Sequence, residues 1–200
     1  MKNTKERILE EALILFSKKG YSATSMHDIA TKIGVTKAAL YKHYTSKQEI
    51  LDSIVERMNV LDTKRSQDYK MPEGSMEEVA QGYKNTAFKQ IKQYTKAQFD
   101  HWTKETFSSC FRKMLTLEQY NSKEMGELYA HYLVKDPVDY IENIFLYLVE
   151  DKDRARLLAL EFYGPIFLLY SLYDEGKSET YIDEMLERHC VYFERNLRHG

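Results

Sequence analysis

The most restrictive feature of this chain is how closely helix stops and starts follow one another in its first fifty residues. Residues 4–19 repeat apolar side chains at helical spacing, with Ile8, Ala12, Leu15 and Phe16 on one face and Leu9 and Leu13 beside it. Lys18 and Lys19 fall in the last turn, where cations suit the helix dipole, and Gly20 follows as the residue best able to take a left-handed conformation. Thr24 or Ser25 then caps a second helix, MHDIATKI, with Asp28 three residues after Ser25 as a capping-box acid. That helix turns Ile29, Ala30 and Ile33 inward and stops at Gly34. After Val35, Thr36 caps a third helix, KAALYKHY, and Ser46-Lys47-Gln48-Glu49 forms a capping box ahead of Ile50, Leu51, Ile54, Val55 and Met58. Helices of about two turns do not persist alone in water, so the longer helices on either side must hold them. Two short helices joined by a tight glycine-containing turn and buttressed in this way predict a helix-turn-helix.

In such a motif the second short helix enters the major groove and reads bases from its N-terminal end. Here that helix offers Lys37, Tyr41, Lys42 and His43 with no acidic residue among them, and Ala38 and Ala39 keep its start small enough for close approach. Lysine can donate to guanine acceptors or phosphate, and Tyr and His can donate to phosphate oxygens. Thr24, Ser25 and Thr36 place hydroxyls at two helix starts, and Lys47 joins the amides at the start of the fourth helix as a second anion site. Residues 1–50 carry nine Lys/Arg against five Asp/Glu, while the rest of the chain carries 20 against 26. A basic head on an acidic body suits a polyanion partner, double-stranded DNA. Periodicity alone leaves another reading open: these helices could be the first layer of an ordinary bundle, with Tyr41 or Tyr44 as core residues.

Beyond the head the periodicity stays helical, and the fold class is all-α: a three-helix N-terminal head plus a larger helical bundle. Helices are expected near 75–94, 96–118, 122–134, 137–149, 152–175 and 178–197, with a polar loop over 62–75 around Pro72 and Gly74. Pro165 should kink or split its helix. The longest apolar passage, 162–169, is shorter than the roughly 18 residues of a membrane span and contains Gly164 and Pro165. The N-terminus does not read as a secretory signal, because acidic residues interrupt its apolar positions. Cys110 and Cys190 lie far apart without CxxC spacing, which fits a reduced, cytoplasmic setting. No phosphate-cradling glycine loop, GxSxG or HExxH occurs, so neither an enzyme nor a cofactor is expected. His101/Glu105 and Glu127/His131 share helix faces, yet further inward ligands are missing and no metal site is expected.

The head also resembles a known family. Gly20-Tyr21, Thr24-Ser25, Ile29-Ala30, Gly34-Val35, Leu40-Tyr41, Tyr44, Ser46-Lys47 and Glu49 all fall in the register of the TetR family of regulators. Tyr44 stands where Phe is common, and Ala38 where Gly is frequent; Ala suits a helix better. The resemblance implies a DNA-binding domain over 1–46, a connecting helix over 47–61, and a ligand-binding and dimerisation domain over 62–200. It adds His27 beside Lys37 as a base contact, directs Tyr41 and Lys47 to phosphate, and puts Tyr44 in the core of the head. It implies a homodimer on a palindromic operator, and a repressor released by a small apolar or amphipathic effector. The aromatic density of the body suits such a pocket, with Phe99, Trp102, Phe107, Tyr140 and Phe162 as expected lining. The apolar residues of 157–173 and of Ile182, Met185, Leu186, His189 and Phe193 exceed what an outer helix needs; the resemblance implies that the last two helices are the dimer surface, the alternative being that they cover the core of the monomer. The competing reading is a helical ligand carrier or adaptor that binds no operator.

Overall fold

Apolar residues at helical spacing form helices here wherever their ends can be satisfied, and the ends decide the boundaries. The computed structural model describes residues 4–86 and 88–199. Its helices are α1 (Thr4–Lys19), α2 (Met26–Ile33), α3 (Lys37–Tyr41), α4 (Lys47–Asp68), α5 (Met76–Asn85), α6 (Phe88–Lys104), α7 (Thr106–Glu118), α8 (Lys123–Tyr129), α9 (Lys135–Val149), α10 (Lys152–Asp174) and α11 (Glu179–His199). A single π-helical turn, Ala130–Val134, joins α8 to α9. No strand occurs among the described residues.

The chain gathers into two compact units. The first comprises residues up to Arg65 together with Glu105–Tyr129. In it α1 packs on both α7 and α2, α2 on α3, and α7 on α8. Its core buries Ile8, Ala12, Leu13 and Phe16 of α1, Ile29 of α2, Leu40 of α3, Ile50 and Ile54 of α4, and Phe111 and Met114 of α7. The second unit comprises Ser66–Lys104 and the residues from Ala130 onward. There α9 packs on α10 and α5, α10 on α11 and α6, and α11 on α6. Phe145, Ala155, Ala159 and Phe193 form one of its clusters, and Phe99 stacks on Tyr170 with ring centroids 5.1 Å apart.

Several boundaries differ from the sequence expectation, each for a physical reason. The loop expected over 62–75 begins later, because α4 continues to Asp68. Polar residues do not end a helix when they bond within it: Arg65 donates to Asp62 one turn back (2.9 Å) and the Thr63 hydroxyl to the carbonyl of Asn59. The helix expected over 75–94 is two helices. Thr86 takes an extended conformation, with its hydroxyl donating to the carbonyl of Gly82 and its amide to that of Tyr83. The helix expected over 96–118 is also broken, at the extended Glu105. The third helix ends at Tyr41 rather than 44, and the chain then turns so that Tyr44 is buried. Pro137 breaks nothing, since it lies in the first turn of α9, where no partner for its missing N–H is needed.

Pro165 neither stops nor splits α10, which runs unbroken over 23 residues. Glu161, Gly164 and Pro165 are all exposed, so water can reach the carbonyl that the proline leaves without its donor, and Gly164 offers no Cβ to the ring. By length and composition α10 is long and apolar enough to cross a membrane, which the count of consecutive apolar residues did not reveal. Core helices of bundles share that property.

Candidate nucleic-acid interface

The turn between α2 and α3 is built from caps. Ser25 takes an extended conformation ahead of α2; its hydroxyl oxygen accepts from the amide of Asp28 (3.2 Å), whose carboxylate accepts from the amide of Ser25 (2.8 Å). Those hydrogen bonds hold the Asp28 carboxyl below the usual aspartate range. Gly34 ends α2 at φ 77°, a left-handed conformation, with its amide shared between the carbonyls of Ala30 and Thr31. Arg7 of α1 donates to the carbonyl of Ile33 (2.7 Å), so a guanidinium meets the negative end of α2. Thr36 caps α3 by accepting from the amide of Ala39 (3.1 Å). The second capping box is shifted by one residue: the Ser46 hydroxyl accepts from Glu49, but Glu49 reaches back to the amide and hydroxyl of Thr45.

This scaffold buries Leu40 and Tyr44 and turns the other face of α3 outward. Lys37, Ala38, Tyr41 and Lys42 are exposed there, joined by Thr36 at the cap and His27 on α2, with Ala39 and His43 half-buried. The Lys37 ammonium lies over the ring of Tyr41, 5.8 Å from its centroid. Neither Lys37 nor Lys42 has an acidic partner among the described residues, and both side chains are exposed. The surface is small at its centre, cationic at its edge and rich in donors.

Three of the expected contact residues are committed inside the chain. Thr24 is buried and its hydroxyl donates to the carbonyl of Gly20 (2.7 Å), while the Ser25 hydroxyl donates to Asp28. Lys47 donates to the carbonyls of Tyr21 (2.6 Å), Thr24 (2.8 Å) and Ser22 (3.4 Å), and covers the ring of Tyr21 at 4.3 Å. Burial pushes its ammonium below the usual lysine range.

The geometry of residues 8–54 coincides with a sequence match over the same span, to the family model of bacterial regulatory proteins, tetR family. The head is thus similar to the DNA-binding domain of the TetR family. Over 149 residues it is 26% identical to the biofilm operon icaADBC HTH-type negative transcriptional regulator IcaR of Staphylococcus aureus, covering 73% of this chain and 80% of that protein. Among solved structures it resembles a TetR-family transcriptional regulator from Bordetella parapertussis, with a TM-score of 0.65 at 21% identity over 96% of this chain and 95% of that one. It also resembles a transcriptional regulator from Saccharomonospora viridis in complex with choline, with a TM-score of 0.63 at 19% identity over 96% of each chain. The chain is all-α with a helix-turn-helix head similar to that of TetR-type regulators, and the relatives it matches are transcriptional regulators rather than enzymes.

The five aromatic residues expected to line a pocket are distributed over both units. Phe99, Trp102, Tyr140 and Phe162 lie in the second unit and Phe107 in the first, where the Arg57 guanidinium covers its ring at 4.3 Å. Phe99 meets Tyr170 and Tyr173, and Trp102 meets Tyr132. Tyr140 is half-exposed and shares a hydrogen bond with Tyr83, and Phe162 packs on Phe193 and His189. Sequence reasoning overlooked Arg7 and Glu118 and gave Tyr21 no role beyond its place in the family register, yet all three shape the head. The contact of Arg7 with the carbonyl of Ile33 has no local signature, and Glu118 lies 96 residues from its partner Ser22.

Proposed function

We propose that this protein is a homodimeric, sequence-specific repressor of the TetR type that acts in the cytoplasm and leaves its operator when a small effector binds. The observation that carries the reading is the outward face of α3, where Lys37, Tyr41 and Lys42 stand exposed around Ala38 while Leu40 anchors the helix in the core. Residues 1–46 would bind DNA, 47–61 would link, and 62–200 would take the effector and the second subunit, with α7 and α8 supporting the head. Thr36, Lys37, Tyr41, Lys42, His43 and His27 would meet bases and phosphates directly. Thr24, Ser25 and Lys47 would serve chiefly by shaping the helix starts that phosphates approach.

The second subunit would cover α10 and α11. Leu157, Leu160 and Leu168 are exposed on one face of α10, with Gly164 between them and Ser171 beyond Leu168 small enough for close approach. Tyr181, Val191 and Tyr192 are exposed on α11. A second copy would also explain why a helix as apolar as α10 is so little covered by its own chain. For the effector, the aromatic surroundings of Phe99 and Trp102 are the best-suited lining, and the choline complex of a structural relative supports a small organic ligand.

Binding of the full chain to a duplex enriched from a randomised pool tests the reading. Log affinity should fall linearly with log salt, by about 0.9 per neutralised phosphate. Lys47→Ala should weaken it. Absence of measurable binding at low salt would reject operator recognition.

A further inference from the structure

The loop between α1 and α2, residues 20–24, is held by groups from distant parts of the chain rather than by its neighbours. Above it, Glu118 at the end of α7 is 2% exposed. One of its oxygens accepts from the Ser22 hydroxyl at 2.6 Å and the other from the Ser22 amide at 3.2 Å. On the carbonyl side of the same loop, the Lys47 ammonium collects the oxygens of Tyr21, Ser22 and Thr24. The Tyr21 hydroxyl donates to Gln48 (2.9 Å), whose amide in turn donates to Glu124 of α8 (2.8 Å). A carboxylate thus takes the loop's donors and an ammonium its acceptors. The approach is close enough to demand glycine at the loop's start. A Cβ on Gly20 would lie 2.3 Å from the Glu118 carboxylate, and Gly20 is itself at φ +87°.

We infer that Glu118 is a positioning residue for DNA binding: through Ser22 it holds the α1–α2 loop to α7 and so sets where α2 and α3 stand. The inference rests on the reading of α3 as the DNA-contacting helix. Stability alone is a weak reason for such a group, since an apolar residue of matching shape commonly serves as well as a buried carboxylate. A carboxylate that grips both donors of one serine supplies direction instead. The loop leads at once into Ser25, the cap of α2, and α3 follows after the short turn at Gly34–Thr36, so a displacement of the loop moves the start of α2 and carries α3 with it. Burial alone would raise the Glu118 carboxyl, but the Ser22 and Asn121 donors and the Lys47 charge outweigh it and hold it below the usual glutamate range. It therefore remains an anion at neutral pH. α7 thereby becomes a second element, beside α4, whose movement the head would feel.

The test uses full-length protein, a duplex enriched by the wild type from a randomised pool, and a scrambled duplex of the same length. The selected-to-scrambled affinity ratio should fall on the order of tenfold in Glu118→Ala, and several-fold in Ser22→Ala. The double variant should fall no further than Glu118→Ala, because the two residues act through one contact. Glu118→Gln keeps an acceptor for Ser22 and should recover part of the loss. Amide exchange over residues 21–25 should accelerate in the variants while that of α1 does not. Should Glu118→Ala fail to fold, Ser22→Ala, which removes one hydroxyl from an exposed residue, decides the matter alone. Ratios within twofold of wild type despite faster loop exchange, or additive effects in the double variant, overturn the inference while leaving the DNA-binding reading intact. A wild type that enriches no duplex overturns both.

Discussion

The two units meet water in different ways. In the first, helix ends are closed by side chains from within the unit: Ser25 and Asp28 at the start of α2, Arg7 at its end, Thr36 at α3, Lys47 and Glu118 around the loop after α1. What it leaves exposed on α3 is a cationic surface with Tyr41 as its one large apolar ring. The second unit is made of longer helices and keeps an apolar face open. Leu157, Leu160 and Leu168 are 60%, 49% and 59% exposed along α10, while the opposite side of the helix buries Ala155, Ala159 and Ile166. The difference teaches that the head is completed by its own chain, whereas the α10–α11 face requires something further to cover it.

The strongest way to break that comparison is to make the open face repellent. Leu157→Glu with Leu168→Glu places two carboxylates in the proposed subunit contact, where an unpaired buried charge costs about 3 kcal/mol or more. The protein should sediment as a monomer with unchanged helix content and lose operator affinity by about a hundredfold or more. A variant that stays dimeric moves the interface elsewhere, and wild-type protein that floats with lipid vesicles assigns the face of α10 to a bilayer. Next in size is the closed core of the head: Leu40→Ala should destabilise by about 3 kcal/mol in thermal or urea unfolding, because Leu40 is fully buried. Little loss there would mean that α3 is not held by its own chain.

Smaller effects sharpen the surface of the head. Tyr41→Phe should lower operator affinity about tenfold, as expected for one hydrogen bond to a phosphate, and leave the unfolding midpoint unchanged. Ser25→Ala should cost about 1 kcal/mol, the usual worth of a cap. Its effect should also depend on pH in a stated direction. The Asp28 carboxyl is lowered in the folded chain by Ser25, so this cap contributes above the ordinary aspartate value of 3.8 and is lost as the pH falls through the lower folded value. Urea unfolding of wild type and Ser25→Ala should therefore converge in acid, and curves that stay parallel would dissociate Asp28 from the cap.

Features that depend on residues three or four apart were legible without coordinates. The Ser25–Asp28 box, the Gly34 stop and the Thr36 cap all stand where the spacing put them. The breaks at Thr86 and Glu105 were not legible, because neither is marked by Gly or Pro. For the candidate site, the exposed residues of α3 were legible from the motif. The inward commitment of Thr24 and Lys47 was hidden, since a hydroxyl or ammonium near a helix start suits a phosphate and a loop carbonyl equally well.

By itself the sequence determined an all-helical chain with a helix-turn-helix head, because caps, stop glycines and apolar spacing act over a few residues and are written directly in residue order. Tertiary structure alone decided which distant groups meet. It brought Glu118 to Ser22 across 96 residues, carried α10 unbroken past Pro165 and left one face of that helix uncovered. The physical reason is that burial and the pairing of charges depend on distance in space, which helical periodicity does not encode.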